Sequence, residues 1–325
     1  MTDFIFANFI DVLIAIIIDL MLGDPSWLPH PVIFIGKLIK LIENRARAKA
    51  KSDSELKFFG GIMVIIVTLT CFLLPAILLF ITWRVKALFH VVNIIILWTT
   101  IAARCLRDES MKVYYALEKE DIAEARKFTS YIVGRETKDL DEKQLVRATV
   151  ETIAENASDG VIAPIFYAFI GGAPLAMLYK GVNTMDSMVG YINKPYMHIG
   201  FFPAKTDDVF NFIPARITGL FMCITAPLFG GSILKSIKIM LRDRKNHKSP
   251  NCAYPEAAAA GILEVQLGGN NIYFGKVVEK PTIGDKLREL RKEDIEITNK
   301  IMFAAESYFA AAASALIYFI AGRIV

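Results

Sequence analysis

Acids and amides between residues 147 and 216 stand at spacings that could hold a divalent cation and a phosphate. In Arg147-Ala-Thr-Val-Glu151-Thr-Ile-Ala-Glu155-Asn156-Ala-Ser158-Asp159-Gly160, a carboxylate recurs every four residues. Lys180-Gly-Val-Asn183-Thr184-Met-Asp186-Ser187-Met-Val-Gly190 follows, then Asp207-Asp208-Val-Phe-Asn211-Phe-Ile-Pro214-Ala-Arg216. Hard oxygen ligands, few in number and close to bound phosphates, are how proteins usually hold Mg²⁺. Glu151, Glu155, Asp159, Asp207 and Asp208 are therefore metal candidates. Lys180 and Arg216 could clamp phosphate oxygens, the arginine by its bidentate fork. Each residue has a plain structural alternative, since ion-pair networks gather the same side chains and a lysine near a helix end can snorkel. For the carboxylates taken together that alternative is the weaker one, because burying charge contributes little to stability.

Helices must carry these groups. Asp141 with Gln144 three residues on makes a capping box, so a helix starts near Glu142. Gln144, Arg147, Glu151, Glu155 and Ser158 then share one face, and Asn183, Asp186, Ser187 and Gly190 share another. Both faces abut long apolar runs. The chain has 325 residues and is 54% hydrophobic, with a mean hydropathy of +0.42. A bilayer-spanning helix needs about 20 apolar residues. Segments 4–22, 60–82, 87–103 and 303–322 qualify outright. Two others, 161–179 and 212–234, are broken by Gly171-Gly172-Ala-Pro174 and by Pro227 and Gly230-Gly231. The pattern predicts an all-α integral membrane protein. It is a multi-spanning helix bundle with broken or re-entrant membrane segments and cytoplasmic helical loops, in one membrane-embedded domain over 1–325. No alternation supports a sheet.

Charge sets the orientation. The loop from Lys37 to Lys57 and the stretch Lys235 to Lys248 are basic and are expected in the cytoplasm. The cytoplasmic helical region is 104–160, with pieces at Ser110–Leu117 and Asp121–Phe128 and a loop over Val133–Thr137. The cytoplasmic loop region is 235–302, with Pro255 and Glu256 in the first turn of an alanine-rich helix and a charged helix from Gly284 to Lys300. If 161–179 and 212–234 re-enter rather than span, the three polar clusters meet on the cytoplasmic side. A net charge of +4 makes no case for nucleic acid; the lipid bilayer is the expected partner. The first segment lacks a basic start and a small-residue cleavage site and reads as retained. Cys71, Cys105, Cys223 and Cys252 show no metal-ligand spacing.

Familiar signatures are missing. Gly275-Lys276 has Asn270 where a P-loop needs glycine and Val277 where it needs Ser or Thr. His30, between two prolines, fits a rigid turn, and Asp24 could line the same cavity. His90, His198 and His247 carry no signal.

Several runs together resemble the adenosylcobinamide-phosphate synthases of cobalamin biosynthesis. They are Gly23-Asp24-Pro25 through His30-Pro31, Ile132-Val133-Gly134-Arg135, and Glu151 through Gly160. Tyr179-Lys180 through Gly190, Pro214-Ala215-Arg216, Ser249-Pro250-Asn251, Pro255-Glu256-Ala257 and Leu267-Gly268-Gly269 complete the set. The resemblance implies ATP- and Mg²⁺-dependent amide formation between a corrin-ring propionate of adenosylcobyric acid and aminopropanol or its phosphate. It also implies a cell-membrane protein, and the orientation above puts its active site facing the cytoplasm. A carboxylate is a poor acyl donor, so phosphoryl transfer to it would precede attack by the amine, and such transfer is mainly positioning and charge neutralisation. On that chemistry Glu155, Asp186 and Lys180 are the catalytic candidates, Asp186 as the base for the substrate ammonium. Asp24, His30, Arg135, Asn156, Ser158, Asn183, Thr184, Ser187, Asn211, Arg216, Asn251 and Glu256 are the substrate-binding candidates. Aromatic and amide groups of 249–273 could hold the corrinoid periphery.

A membrane transporter or an intramembrane transferase also uses acidic clusters on broken helices. No inverted repeat is visible, and the spacing of the aspartates matches neither prenyl nor alcohol-phosphate transferases.

Overall fold

The computed structural model describes residues 2–25, 27, 29–191, 193–269, 271–273, 276–278 and 281–324. Asn270 and Gly275 lie outside the described residues, as do the side chains of 271–273. Helices come in the order α1 (Thr2–Leu22), α2 (Pro31–Lys49), α3 (Asp53–Thr82), α4 (Lys86–Trp98), α5 (Ala103–Glu118), α6 (Ile122–Ile132) and α7 (Glu142–Asn156). A π-helical turn, Ala157–Ile162, leads into α8 (Ala163–Val189), followed by α9 (Phe201–Phe210) and α10 (Phe212–Thr225). A 3-10 turn at Ala226–Phe229 precedes α11 (Ile233–Asp243), α12 (Ala253–Leu263), four short strands and α13 (Glu293–Ile324). Among the described residues, Asp53–Thr82, Lys86–Glu118, Glu142–Val189, Phe212–Phe229 and Glu293–Phe319 are long and apolar enough to cross a membrane. The all-α, multi-pass class expected from composition holds.

Three local expectations change. The basic stretch from Lys37 to Lys57 is helical almost throughout, in α2 and the first turn of α3. No sheet was expected, yet β1 (Leu267–Gly268) pairs antiparallel with β4 (Thr282–Ile283), and β2 (Asn271–Tyr273) with β3 (Lys276–Val278). Strands of two and three residues are too short for alternation to register. The charged helix begins at Glu293 rather than Gly284. Gly284 sits at φ +80°, and the Asp294 carboxylate accepts from Arg291 N at 2.8 Å and from the Arg288 guanidinium, which pins the turn before the helix.

The chain forms two compact units. The first comprises Met1–Ala102, Ala163–Asn211 and Ala312–Val325. Its core includes Ile39, Met63, Val67, Cys71, Val182 and Met185 from α2, α3 and α8. A Cβ on Gly181 would come 2.6 Å from Cys71 Sγ, so α3 and α8 approach as closely as glycine allows. The expected break in α8 falls at Gly171 and Gly172, the latter at φ +64°, a conformation that glycine adopts without a steric penalty. The freed backbone groups find side-chain amides. Ala173 N donates to Asn93 Oδ1 at 3.3 Å, and Asn8 Nδ2 donates to Ala168 O at 3.0 Å. Asn93 Nδ2 donates in turn to Asn8 Oδ1 and to Asp11 Oδ2, and Asp11 also bonds His90 Nδ1 at 2.9 Å.

The second unit comprises Ala103–Ile162 and Phe212–Ala311. Its centre is α12, buried from Pro255 to Leu263. Small residues let α10 and α11 close on it: a Cβ on Gly219 would meet Tyr254 O at 3.1 Å, and one on Gly261 would meet Ser236 Cα at 3.0 Å. Helix α7 starts at Glu142 with both halves of the Asp141–Gln144 capping box formed.

The clasp on α8 is open to a direct test. Asn93→Leu removes an acceptor and a donor that buried groups use, so it should cost about 1–3 kcal/mol. A lowered thermal midpoint of the detergent-solubilised protein would show this; an unchanged midpoint would mean that the break needs no clasp.

Candidate active site

In the second unit, α7 carries Arg147, Glu151 and Glu155 along one face, and the loop after α6 brings Arg135 against them. Glu151 Oε2 accepts from Arg135 Nη2, and its Oε1 accepts from Gly268 N at 2.8 Å. Arg147 Nε lies 3.8 Å from the same carboxylate. The Arg135 side chain is 7% exposed and that of Glu151 is 11% exposed. Both oxygens of Glu151 thus have protein donors, which is the ion-pair alternative weighed for these acids.

One turn on, the arrangement changes. Glu155 Oε1 accepts from the Cys252 thiol at 2.9 Å. Burial, and then the carboxylates of Glu155, Asp159 and Glu256, push the Cys252 thiol well above its ordinary range, so it is a neutral donor. A thiol ringed by carboxylates was not foreseen. The polar stripe does not continue at α-helical spacing to Ser158, because the π-helical turn intervenes, and such turns recur at functional sites. Ser158 is buried there, and its hydroxyl has no hydrogen-bond partner among the described residues. Asn156 Nδ2 donates back to Thr152 O at 3.0 Å.

A cavity of about 110 Å³ opens at this point, lined by Gly134, Arg135, Glu155, Asn156, His247 and Glu256 among others. His247 carries no signal in the sequence; the structure puts it beside five of the expected residues, Arg135, Glu151, Glu155, Asn156 and Glu256. A second cavity of about 200 Å³ is lined by Lys143, Gln144, Arg147, Gln266, Lys286 and Arg288, with Asp141 and Glu289 as its acids. Arg216 is part of neither. Its guanidinium stacks 3.6 Å from the Phe212 ring centroid and 4.4 Å from that of Tyr254. It also donates to Asn251 Oδ1 at 3.1 Å.

The other expected residues lie in the first unit. His30 Nε2 is 3.7 Å from Asp24 Oδ1, and its Nδ1 accepts from Val32 N to cap α2. Burial lowers the basicity of His30, the Asp24 carboxylate opposes that shift, and the Lys180 charge adds to it. Lys180 Nζ donates to Thr100 O at 3.0 Å. The hydroxyls of Thr184 and Ser187 donate back to the helix carbonyls of Lys180 and Thr184.

Asp207 and Asp208 diverge. Asp208 pairs with Lys205 at 2.8 Å near the surface, whereas Asp207 is 8% exposed. Asp207 Oδ2 accepts from Asn211 Nδ2 at 2.9 Å, and Asn211 Oδ1 accepts from the Tyr179 hydroxyl at 2.8 Å. Asp207 Oδ1 has no partner among the described residues. Burial and the Asp186 carboxylate push Asp207 up to about 7, against the pull of the Asn211 and Asn183 amides. Among the described residues, no three His, Cys, Asp or Glu side chains converge tightly enough to cage a metal unaided.

Two outcomes follow from this chemistry. Glu151→Gln leaves Arg135 buried without its counter-charge and should cost about 3–5 kcal/mol, while Glu151→Leu combined with Arg135→Leu should recover most of it. Unfolding of the purified protein checks this, and a loss below about 1 kcal/mol for the single variant would contradict it. For Asp207, the unfolded chain gives up its proton near 3.8 and the folded chain near 7, so stability falls as pH rises through that window. Asp207→Asn should flatten that slope and unfold later than wild type at about pH 8; a parallel slope in the variant would discount the shift.

The chain matches the family described as CobD/Cbib protein over residues 12–302. Cobalamin biosynthesis protein CobD of Clostridium tetani is 57% identical over 301 residues, covering 92% of this chain and 94% of the relative. The CobD of Clostridium acetobutylicum is 59% identical over 300 residues, covering 92% and 95%. Cobalamin biosynthesis protein CbiB of Salmonella typhimurium is 44% identical over 295 residues, covering 90% and 92%. No solved structure matches. With the match running from α1 into α13, through both compact units and every residue of the two polar sites, the chain belongs to the CobD/CbiB family.

Proposed function

We propose that this protein is an adenosylcobinamide-phosphate synthase. It joins a propionate of adenosylcobyric acid to aminopropanol or its phosphate at the expense of ATP, at the cytoplasmic face of the cell membrane. Relatives named as cobalamin biosynthesis proteins, of nearly the same length, support the pathway. The observation that carries the chemistry is the gathering of Glu155, Asp159 and Glu256 about the neutral Cys252 thiol, with two of these acids facing a cavity.

That donor set suits Mg²⁺. The oxygens are hard and few, and Mg²⁺ keeps several waters and takes substrate phosphates rather than needing an all-protein cage. Glu155 and Asp159 would hold it, with Glu151 positioning Arg135 and Arg147 instead of binding metal. When bound, the ion neutralises charge that develops on the transferred phosphoryl group. The cavity with Lys143, Arg147, Lys286 and Arg288 against Asp141 and Glu289 has a surplus of cations and suits polyphosphate. The substrate carboxylate oxygen attacks the γ-phosphorus and ADP leaves. The amine nitrogen then attacks the acyl carbon, inorganic phosphate leaves, and the proton the amine loses goes to a carboxylate base, for which Asp186 is the first unit's candidate. Within the first unit Asp207, with the Asn183 and Asn211 amides on its carboxylate, feels the Asp186 charge, and Asp24 and His30 would bind substrate.

Purified protein in lipid nanodiscs should release ADP only when adenosylcobyric acid, the amine and Mg-ATP are all present. Glu155→Ala and Asp186→Ala should each lower turnover by about 100-fold or more while leaving the thermal midpoint near wild type. Full activity in both variants would remove the assignment. Corrinoid counter-flow across vesicles without ATP consumption would make the protein a transporter instead.

A further inference from the structure

Of the cations lining the cavity of about 200 Å³ at the start of α7, Arg147 and Arg288 answer to acids outside that lining. Arg147 Nε lies 3.8 Å from Glu151 Oε1, and Arg288 Nη1 donates to Asp294 Oδ2 at 2.8 Å. Asp141, one of the two acids in the lining, accepts from Gln144 N at 2.8 Å and caps α7. Lys143, Lys286 and Glu289 remain. Lys143 Nζ donates to Glu289 Oε2 at 3.2 Å, and Lys286 Nζ lies 2.8 Å from Glu289 Oε1. One carboxylate thus holds two ammonium groups, one from α7 and one from the loop between β4 and α13, with an oxygen on each.

Two oxygens of a phosphate could make the same pair of contacts. All three side chains are more than half exposed, and ion pairs in that setting contribute little to stability and are screened by salt. The ammonium groups of Lys286 and Lys143 hold the Glu289 carboxyl below the usual carboxylate range, so it is an anion at neutral pH. A polyphosphate brings several negative charges to ammonium groups that Glu289 meets with a single one. Nor does the loop depend on Glu289 for its place. Gly284 N donates to Asp243 Oδ2 at 2.7 Å, Arg288 N to Glu264 O at 3.2 Å, and Arg291 N to Asp294 Oδ2 at 2.8 Å. Only the Glu289 side chain has to swing away.

We propose that Glu289 is a built-in competitor for the anion seat of this cavity. Its carboxylate holds Lys143 and Lys286 until polyphosphate oxygens displace it, and so sets how tightly the cavity takes the phosphates of a nucleotide. The proposal rests on the synthase reading above, in which polyphosphate binds here.

Binding of a fluorescent ATP analogue, and its displacement by inorganic tripolyphosphate, tests this on the full chain in nanodiscs. Mg²⁺, corrinoid and amine are left out, so that only the phosphate contacts are read. Glu289→Gln keeps the side chain's size and removes its charge; it should tighten Kd for both probes by about fivefold, the effect of one charge about 4 Å away in water. Lys143→Gln and Lys286→Gln should each weaken Kd by about as much, and the gain in Glu289→Gln should shrink as salt is raised. An unchanged Kd in Glu289→Gln would mean that the carboxylate does not contest the seat, and a weaker one that it orders the lysines for the ligand. Either overturns the proposal, as does the absence of binding in both wild type and Glu289→Gln, and the synthase reading stands as long as wild type releases ADP with all its substrates. A wild type that releases none, while Glu289→Gln still gains on tripolyphosphate, removes the synthase reading and leaves the competitor in place.

Discussion

Polar groups on helices long and apolar enough for a bilayer must find partners inside the protein, because lipid offers none. That constraint shapes both compact units. In the first, the turn at Gly171 and Gly172 frees a backbone donor and a backbone acceptor. Asn93 and Asn8 take them up, and Asp11 and His90 complete the chain of bonds. In the second, the Glu151 carboxylate on α7 is satisfied by a guanidinium from the loop after α6 and by Gly268 N from β1. A half-satisfied version of either network would cost more than an apolar replacement. The networks therefore hold the helix breaks and loops in one arrangement.

The same constraint sorts the polar residues by what remains for chemistry. Asn156, Thr184 and Ser187 spend donors on the carbonyl of a preceding turn, a common arrangement for such side chains within helices. Asp208 is neutralised by Lys205 at the surface. Glu155 differs, since its Oε1 accepts from a thiol, a weak donor that a stronger ligand can displace. Asp207 differs too, with one oxygen bonded to an amide and the other without a donor among the described residues. Sharing a helical face is thus a poor guide to sharing a function: Glu151 and Glu155 are one turn apart and border the same cavity, but Glu151 is bound into an ion-pair knot while Glu155 accepts from a thiol.

Much of this was legible in the sequence where the signal is local. The capping box at Asp141 and Gln144 marks the start of α7 to the residue, and Gly171-Gly172 marks the break in α8, because both signals lie within a few residues of the feature they set. What closes the break was not legible. Asn8, Asp11, His90 and Asn93 come from two helices about 80 residues apart in the chain, and hydrophobic periodicity carries no information about such pairings. The π-helical turn hid the offset of Ser158 and Asp159 from the face of Glu155. His247 and Cys252 were silent for a similar reason, as each acquires meaning only from a carboxylate on α7 about a hundred residues earlier. Motif resemblance reached further than periodicity because it registers such distant residues without having to explain them.

Arg216, a residue suited to phosphate, is also engaged by the protein's own groups. Its guanidinium is packed between the rings of Phe212 and Tyr254, a contact worth about 0.5–2 kcal/mol per ring, and it donates to Asn251, which is 3% exposed. Asn251 N in turn donates to Ser249 Oγ, and Ser249 N donates to His247. A chain of bonds thus runs from α10 through the loop at Ser249-Pro250-Asn251 to the imidazole, and the same loop leads into the first turn of α12, where Glu256 sits. The cation fixes where α12 begins, and the start of α12 fixes where Glu256 and the His247 ring face. Lysine would not substitute there, because a compact ammonium can neither stack between two rings nor donate from a rigid planar fork.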